Sequence, residues 1–123
     1  MEKTTRILTV DDSRSMRALL RVALVERGYE VCEAEDGVEA LQWLETNSAD
    51  VIITDINMPR LDGFGLIEKV RSSSRHIDRP ILVLTTESSD EKKKRARDAG
   101  ATGWIVKPFD PEKLAAAVRR VAH

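Results

Sequence analysis

Five side chains suited to phosphoryl chemistry stand at or directly after the ends of short apolar segments in this sequence: Asp11, Asp12, Asp55, Thr85 and Lys107. Three carboxylates held close together repel one another, and a hard divalent cation such as Mg²⁺ relieves that repulsion. An ammonium and a hydroxyl supply the positive charge and the hydrogen bond that a phosphoryl group takes up. A carboxylate in such surroundings can attack a phosphoryl donor and form an acyl phosphate. If the five side chains meet, they predict magnesium-assisted phosphoryl transfer with Asp55 as the nucleophile.

Short β-branched and aliphatic runs predict the strands that would carry these residues. The run that ends at Asp55 predicts a strand buried on both faces, and Met58-Pro59 then ends regular structure. A carboxylate at the end of a buried strand needs a counter-charge, a metal or a catalytic task. The five predicted strands are residues 6–10, 29–34, 51–55, 81–85 and 103–106.

Stretches with helical periodicity follow the strands. The first helix has Ser13 as its N-cap and Gly28 beyond its last turn, and the final helix has Asp110 as its N-cap. The helix at about 89–99 is nearly all charged, so we expect it to pack weakly and to be the most mobile one, although a solvated helix without a role fits the same pattern. The apolar stripe of the first helix consists of Met16, Leu19, Leu20, Ala23 and Leu24.

Strands that alternate with helices predict an α/β fold. Such a chain forms a parallel sheet through right-handed crossovers and has helices on both faces. The carboxyl ends of the strands lie at one edge, where doubly wound sheets bind their ligands. We therefore expect a single domain over residues 1–123, with the carboxylates, Thr85 and Lys107 gathered at that edge.

Composition and charge exclude several classes of function. Lys and Arg number 20 against 21 Asp and Glu, and the net charge of -1 predicts no general affinity for nucleic acid. No apolar run is long enough to span a membrane and the N-terminus lacks the apolar region of a secretory signal, which predicts a cytoplasmic protein. Cys32 is the single cysteine, which excludes an internal disulfide or a cysteine-based zinc site and predicts a small buried thiol.

The residues alone leave other functions to weigh. Each acidic residue taken singly is typical of a turn or a helix cap. A haloacid-dehalogenase-like phosphatase also forms an aspartyl phosphate, but it needs its nucleophile after the first strand and a second Asp two residues on, where Ser13 and Arg14 stand. A nucleotide-binding domain would need a Gly-rich turn after the first strand, and a purely structural interaction module would lack the acidic pair or the lysine. His76 and His123 are predicted to be a surface loop residue and a frayed terminus, not phosphorelay sites.

The motifs at these positions resemble those of the receiver domains of two-component response regulators, and the match covers nearly the whole chain. The matching features are Asp11-Asp12, Asp55 followed by Met58-Pro59 and Asp62-Gly63, Thr85, and Lys107-Pro108. Met16-Arg17, residues 34–37 and Gly100-Ala101 also resemble the stand-alone chemotaxis members of the family, the CheY-like regulators. The resemblance implies a flavodoxin-like, CheY-like fold with a five-stranded parallel sheet in the order 2-1-3-4-5.

The resemblance also implies roles for the acidic residues. Asp55 takes a phosphoryl group from the phosphohistidine of a sensor histidine kinase, which is CheA-like in chemotaxis. Mg²⁺ is held by Asp12, Asp55 and the backbone carbonyl of Asn57, with Asp11 acting through water. The protein is then a phospho-accepting switch and not an enzyme that acts on other substrates.

Further roles implied by the resemblance fall on strands 4 and 5. Thr85 hydrogen-bonds the phosphoryl group, and Lys107, whose bond to Pro108 is cis, pairs with it. Inward movement of Thr85 frees space that Trp104 fills, although a core tryptophan fits the same position. The positions that tune phosphoryl loss hold Asn57 and Glu87, and both can orient a water, which predicts a phosphoryl lifetime of seconds to minutes.

The implied output face combines helix 4, strand 5 and helix 5. Its predicted residues are Lys93, Arg97, Trp104 and Val106. Helix 4 is basic here, whereas the best-known chemotaxis regulator is more apolar, so the flagellar motor switch protein is one possible partner and a phosphate sink or another output fits as well. We expect a monomer that meets the phosphotransfer domain of its kinase and binds neither nucleic acid nor membrane. The basic residues of this helix are Lys92, Lys93, Lys94, Arg95 and Arg97.

Overall fold

The computed structural model describes residues 4–122, in which five strands alternate with five helices. The strand bounds agree with the predicted ones, except that β2 begins one residue later and β3 ends one residue earlier. In chain order the elements are β1 (Arg6–Val10), α1 (Arg14–Val25), β2 (Glu30–Ala34), α2 (Gly37–Thr46), β3 (Val51–Thr54), α3 (Gly63–Arg71), β4 (Ile81–Thr85), α4 (Asp90–Ala99), β5 (Gly103–Val106) and α5 (Pro111–Val121).

The strands form one parallel sheet in the order β2-β1-β3-β4-β5. This confirms the predicted α/β fold and its strand order. The order reverses at β1, which pairs with β2 on one side and with β3 on the other, where Val10 lies beside Thr54. Asp11 and Asp55 directly follow these two residues, so they lie at the switch point where doubly wound sheets bind ligands.

Helices cover both faces of the sheet and build two apolar clusters. On one face α2, α3 and α4 contribute Leu44, Phe64 and Ala96. On the other face α1 and α5 contribute Leu24 and Leu114. All residues of β3 and β4 are buried, because a parallel strand covered on both faces has no solvent side. The two layers of helices thus leave the carboxyl edge of the sheet as the accessible place for a polar site.

Each helix begins at a side chain that accepts a hydrogen bond from a backbone N–H of the first turn, which satisfies a donor that has no partner within the helix. The prediction of Ser13 and Asp110 as caps is confirmed. Gly28 follows α1 with a φ of 89° and Gly100 ends α4 with a φ of 117°, a left-handed conformation that glycine adopts readily. The five N-caps are Ser13, Asp36, Asp62, Ser89 and Asp110.

Helix α4 is attached to the fold less extensively than the other helices. Within the described chain it has one buried residue, Ala96, whereas α3 has five. The Arg95 guanidinium lies 4.0 Å from the centroid of the Phe64 ring, and the Arg71 side chain donates to the Gly100 carbonyl at 2.9 Å. These contacts agree with the predicted weak packing of α4, and its mobility stays a prediction.

Three predictions concern residues away from the sheet edge. Cys32 lies in β2 and is half-buried, so its thiol is less enclosed than expected. The prediction that His76 is a surface residue was wrong: its side chain is buried and its Nε2 lies 3.0 Å from the Leu44 carbonyl oxygen, because the loop after α3 folds against the end of α2. His123 lies outside the described residues.

Between residues 4 and 122, no helix has the length and apolar character needed to cross a membrane.

Candidate functional site

Lys107 joins two of the predicted carboxylates directly. Its Nζ lies 2.7 Å from Asp11 Oδ2 and 2.9 Å from Asp55 Oδ2. Lys107 follows β5, so its four-carbon stem reaches past the end of β4 to the residues that follow β1 and β3. The Lys107–Pro108 peptide bond is cis, as the resemblance implies. The structure therefore brings together three side chains that the sequence predicted at this edge.

Backbone amides hold the other oxygens of the same carboxylates. Asp11 Oδ1 accepts from the Ser13 N–H at 2.9 Å, and Asp55 Oδ1 accepts from the Ile56 N–H at 2.6 Å. Each carboxylate thus has one oxygen bound to the backbone and the other bound to Lys107. Both carboxylate planes are fixed by this arrangement before any ligand binds.

The carboxylates carry more negative charge than Lys107 neutralises. One oxygen each from Asp11, Asp12 and Asp55 lie within 4.8 Å of one another. Asp11 and Asp55 are buried, whereas Asp12 is exposed to solvent. Excess negative charge on converging oxygen ligands favours a hard divalent cation. The chemistry of this donor set fits Mg²⁺, with Asp12 as the ligand most accessible from solvent.

The pKa of Lys107 reflects the same surroundings. Burial alone would lower the pKa of its ammonium, but the hydrogen bonds to Asp11 and Asp55 outweigh burial and raise the pKa above its usual value of 10.5. The lysine is therefore charged at neutral pH. It provides a positive charge at the position where a phosphoryl group on Asp55 would need one.

The loop from β3 to α3 passes close to Asp55 and requires two special backbone positions. The Gly63 N–H donates to the Ile56 carbonyl at 2.8 Å, and a Cβ at Gly63 would overlap the Asp55 carbonyl oxygen, so only glycine fits there. Arg60 has a φ of 67° and makes two hydrogen bonds with Asp36, at 2.8 and 3.1 Å. These bonds are the main cause of the lowered pKa of the Asp36 carboxyl. The sequence predicted a turn here, but the ion pair between α2 and this loop was missed.

Glu87, in the loop from β4 to α4, has four polar partners. Its N–H donates to Thr85 Oγ1 at 3.3 Å, and its carbonyl accepts from Trp104 Nε1 at 3.1 Å. Its Oε1 accepts from Asn57 Nδ2 at 3.2 Å and forms an ion pair with Lys92 Nζ at 2.9 Å. The pKa of the Glu87 carboxyl is lowered, first by Lys92 and then by Asn57. The structure brings together the two predicted tuning residues and adds Lys92, which the sequence had shown only as one basic residue of α4.

Thr85 and Trp104, the predicted switch residues, meet through Glu87. Thr85 is fully buried at the end of β4, and Trp104 lies half-buried on β5. In the strand register Thr85 pairs with Val106 and Trp104 pairs with Val83, so the two side chains are not direct neighbours along the strands. Thr85 Oγ1 accepts the Glu87 N–H with a lone pair, so its hydroxyl hydrogen can still donate to another group. The switch role of both residues stays a prediction.

Three of the four predicted output residues line one groove between α4 and the edge strand β5. Lys93, Arg97 and Trp104 face a cavity of about 230 Å³ that also contacts Ala96 and Gly103. The fourth residue, Val106, lies beyond this groove at the end of β5 and is 39 % exposed. The groove has an apolar floor with basic residues beside it, which fits a partner that presents an apolar side chain near carboxylates.

A second groove, which the sequence did not predict, lies between α1 and the loop from β5 to α5. Leu19 and Val22 are more than half exposed, although Leu19 was expected on the buried stripe of α1. With Met16 and Phe109 they line an apolar cavity of about 370 Å³. Helical periodicity shows which residues share the apolar side of α1, but not how much of that side is covered by other elements. It therefore could not predict that Leu19 is exposed and Leu20 is buried. The groove adjoins Pro108, directly after Lys107, and therefore begins beside the carboxylate cluster.

Comparisons with known proteins agree on one family. The family model described as the response regulator receiver domain matches residues 7–119. The chemotaxis protein CheY1 of Helicobacter pylori is 46 % identical over 111 residues, which cover 89 % of this chain and 90 % of CheY1. The crystallised chemotaxis protein CheY4 of Vibrio cholerae superposes with a TM-score of 0.92 at 47 % identity, over 97 % of this chain and 99 % of that one.

Two further similarities bear on function. The response regulator MprA of a Mycobacterium species is 45 % identical over 114 residues, which cover 93 % of this chain but 49 % of MprA. The receiver domain of the sensor histidine kinase PA1611 from Pseudomonas aeruginosa, with a magnesium ion coordinated in its active-site cleft, is 26 % identical with a TM-score of 0.89, over 97 % of this chain and 98 % of that one. Similar domains thus occur in proteins with and without a stated link to chemotaxis.

Proposed function

The chain belongs to the response regulator receiver domain family, and on that premise we propose that it acts as a response regulator that accepts a phosphoryl group on Asp55 from a sensor histidine kinase. The observation that carries the proposal is the Lys107 ammonium bound to Asp11 and Asp55 at 2.7 and 2.9 Å. This arrangement provides a nucleophilic carboxylate, an acidic partner and a cation within one hydrogen-bonded group. The protein acts on no other substrate, and its reactions are its own phosphorylation and dephosphorylation.

Mg²⁺ would be held by the Asp12 and Asp55 carboxylates and the Asn57 backbone carbonyl, with Asp11 acting through water. The clustered oxygens of the three aspartates and their excess negative charge support this assignment. The bound ion would supply positive charge that offsets repulsion between the carboxylates and an incoming phosphoryl group. The magnesium in the PA1611 receiver domain supports the same choice of metal.

In the transfer step, an Asp55 carboxylate oxygen bonds to phosphorus while the bond from phosphorus to the donor histidine nitrogen breaks. The electron pair of that bond stays on the nitrogen. Lys107 moves from the carboxylate oxygen to a phosphoryl oxygen, and the Thr85 hydroxyl donates to another. The protein thereby provides position and charge, which is what phosphoryl transfer requires.

The histidine kinase meets the acidic edge through the groove between α1 and the loop from β5 to α5. Leu19 and Val22 are exposed there, and Phe109 lies two residues after Lys107. A partner that covers this apolar surface would bring its phosphohistidine beside Asp55. The partner is the phosphotransfer domain of a CheA-like kinase if the pathway is chemotaxis.

Phosphorylation shifts a two-state equilibrium that is read at α4, β5 and α5. The link runs from Thr85 through the backbone of Glu87 to Trp104, at 3.3 and 3.1 Å. When the Thr85 hydroxyl moves to bond the phosphoryl group, the hydrogen bonds from Thr85 to Glu87 and from Glu87 to Trp104 must rearrange. The shape of the groove that Trp104 lines then changes. The phosphoryl group can shift the population only because it binds the active arrangement better.

Chemotaxis is the preferred pathway, since CheY1 and CheY4 are similar to this chain over nearly their whole lengths. The basic residues Lys93 and Arg97 beside the α4–β5 groove favour a more acidic output partner than an apolar motor peptide. A phosphate sink or a regulator outside chemotaxis is therefore the second candidate. Both roles fit a monomer that works in the cytoplasm and binds neither nucleic acid nor membrane.

The experiment that tests the proposal adds a small phosphodonor and Mg²⁺ to the protein and measures its intact mass. We expect a gain of one phosphate that requires Mg²⁺ and is absent from Asp55→Asn. Loss of that phosphate after removal of the donor should take seconds to minutes. A lifetime of hours would contradict the roles given to Asn57 and Glu87.

The same incubation distinguishes a phospho-accepting receiver from a phosphatase that acts on many substrates. Phosphate release from several phosphate esters is followed beside the mass measurement. Steady turnover of many esters, unaffected by Asp55→Asn, would overturn the proposed function. Turnover limited to the phosphodonor and lost in Asp55→Asn is the behaviour of a self-dephosphorylating receiver.

A further inference from the structure

Lys92 lies on α4, and its ammonium reaches back to the loop from β4 to α4. Its Nζ lies 2.9 Å from Glu87 Oε1, the oxygen that also accepts from Asn57 Nδ2 at 3.2 Å. Two donors from different elements therefore converge on one carboxylate oxygen. The side chains of Lys92 and Glu87 are both partly exposed, so water can reach this carboxylate.

Hydrogen bonds also hold the backbone of Glu87. Thr85 accepts from its N–H and Trp104 donates to its carbonyl. In the part of the chain that the structure describes, no group donates to Glu87 Oε2. The carboxylate is thus fixed at one oxygen and has its second oxygen available as a hydrogen-bond acceptor.

Without Lys92 this arrangement would be electrostatically unfavourable. Glu87 contacts Asn57, two residues after Asp55, so its carboxylate lies on the side of the site where the Asp55 charge weakly opposes its ionisation. A phosphoryl group on Asp55 adds more negative charge on the same side, and the repulsion grows. The ammonium of Lys92 opposes this repulsion and keeps the Glu87 carboxylate beside Asn57, whose amide alone has no formal charge to do so.

We propose that Lys92 is a positioning residue for phosphoryl loss, because it holds Glu87 where Oε2 orients the attacking water. This inference rests on the proposed function. The water oxygen bonds to phosphorus, and the bond from phosphorus to the Asp55 oxygen breaks with its electron pair returning to the carboxylate. Both protons of the water leave on the released dihydrogen phosphate. Lys92 touches neither water nor phosphorus and acts only through Glu87.

Neighbouring lysines on α4 provide matched controls. Lys94 lies two residues further along the helix, and its Nζ bonds Asp98 at 2.9 Å on the exposed surface. Lys94→Met removes the same charge from the same helix without touching Glu87. Lys92→Met keeps an unbranched side chain and removes the ammonium, and Lys92→Arg keeps a cation that can bond Oε1.

The test measures the first-order loss of phosphate by intact mass after the phosphodonor is removed. Lys92→Met should slow this loss roughly two- to fivefold, the range that a partly exposed ion pair supports. Lys94→Met should leave the rate unchanged, and Lys92→Arg should restore most of it. The rate of phosphate gain and the unfolding midpoint should change little in all three variants, a pattern that a general loss of structure would not produce.

A double-mutant cycle tests whether Lys92 acts through Glu87. In a Glu87→Gln background, Lys92→Met should have no further effect on phosphate loss. Equal slowing in both backgrounds, unchanged loss in Lys92→Met, or faster loss in Lys92→Met would each overturn the inference. Failure of the wild-type protein to gain any phosphate would instead overturn the proposed function, so the two failures are distinguishable.

Discussion

The carboxyl edge of the sheet and helix α4 are held in place by different kinds of contact. At the edge, Asp11 and Asp55 are buried, and each is bound both by a backbone amide and by Lys107. Along α4, Ala96 is the one buried residue that the described chain shows, and Ala99 packs against the core while partly exposed. Ion pairs, hydrogen bonds and a cation–π contact add to these two. The edge has a fixed geometry, whereas we expect α4 to shift at small cost.

This difference agrees with the proposed switch. The proposed phosphoryl transfer needs groups that are positioned before the donor arrives, and the edge holds Asp11, Asp55 and Lys107 in place. An output surface must change with a modest free energy, and elements with few buried contacts can do so. Glu87 connects the two regions, because its partners include Asn57 after β3, Thr85 on β4, Trp104 on β5 and Lys92 on α4.

The largest expected effect comes from removing the cation at the edge. Lys107→Met leaves neighbouring carboxylates without their shared partner, and we expect it to reduce the free energy of unfolding by about 1–3 kcal/mol in the absence of Mg²⁺. Added Mg²⁺ should recover part of that loss, because the metal replaces the missing positive charge. Urea unfolding with and without Mg²⁺ measures both effects. Equal stability of wild type and variant without metal would mean that the edge is not held by Lys107.

A second prediction compares α4 with α3 by amide hydrogen exchange. Backbone amides of Asp90–Ala99 should exchange about tenfold or more faster than those of Gly63–Arg71, because α3 has five buried residues in the described structure and α4 has one. Equal protection of the two helices would contradict both the comparison and the mobility predicted from the charged sequence.

A third prediction uses the ion pair that holds the loop after β3. Asp36→Asn keeps an N-cap for α2 but removes the charge that binds Arg60, and should cost about 1 kcal/mol at neutral pH. Because the pKa of Asp36 is lowered in the folded protein, the stabilisation is complete above its ordinary value of 3.8 and is lost as the pH falls through the folded-state value. Unfolding at several pH values should therefore show the difference between wild type and variant shrinking below about pH 4. A difference that is independent of pH would assign the effect to packing.

The smallest predicted effect concerns the contact between Arg95 on α4 and Phe64 on α3. Arg95→Gln removes the guanidinium above Phe64 and should reduce the free energy of unfolding by about 0.5 kcal/mol. Arg97→Gln, on the same helix, is the matched control and should change stability less. If Arg97→Gln costs as much as Arg95→Gln, the contact with Phe64 does not hold the helix.

Much of the fold follows from local sequence signals. The apolar runs before Asp11, Asp55 and Lys107 located three of the strands and, through the alternation with helices, the sheet edge where these residues meet. Parallel sheets bury both strand faces, so their strands are visible as continuous apolar runs. The positions of the carboxylates and of Lys107 were therefore predictable before any contact was known.

Other features depend on contacts between distant segments and leave no local signal. The pair of Arg60 and Asp36 joins residues 24 apart, and Asn57 donates to Glu87 across 30 residues. His76 was expected on the surface, yet a loop folds it against the end of α2. Helical periodicity predicts which side of a helix is apolar, but the burial of each residue depends on what packs against it.

We expect a phosphoryl group on Asp55 to change the conformation of α4 and β5. The most direct measurement records amide ¹H–¹⁵N spectra before and after addition of Mg²⁺ and a small phosphodonor, with Asp55→Asn as control. We predict large shifts both at the residues around Asp55 and in α4 and β5, including the Trp104 indole, and none of these shifts in Asp55→Asn. Shifts confined to the acidic edge, with α4 and β5 unchanged, would contradict the account.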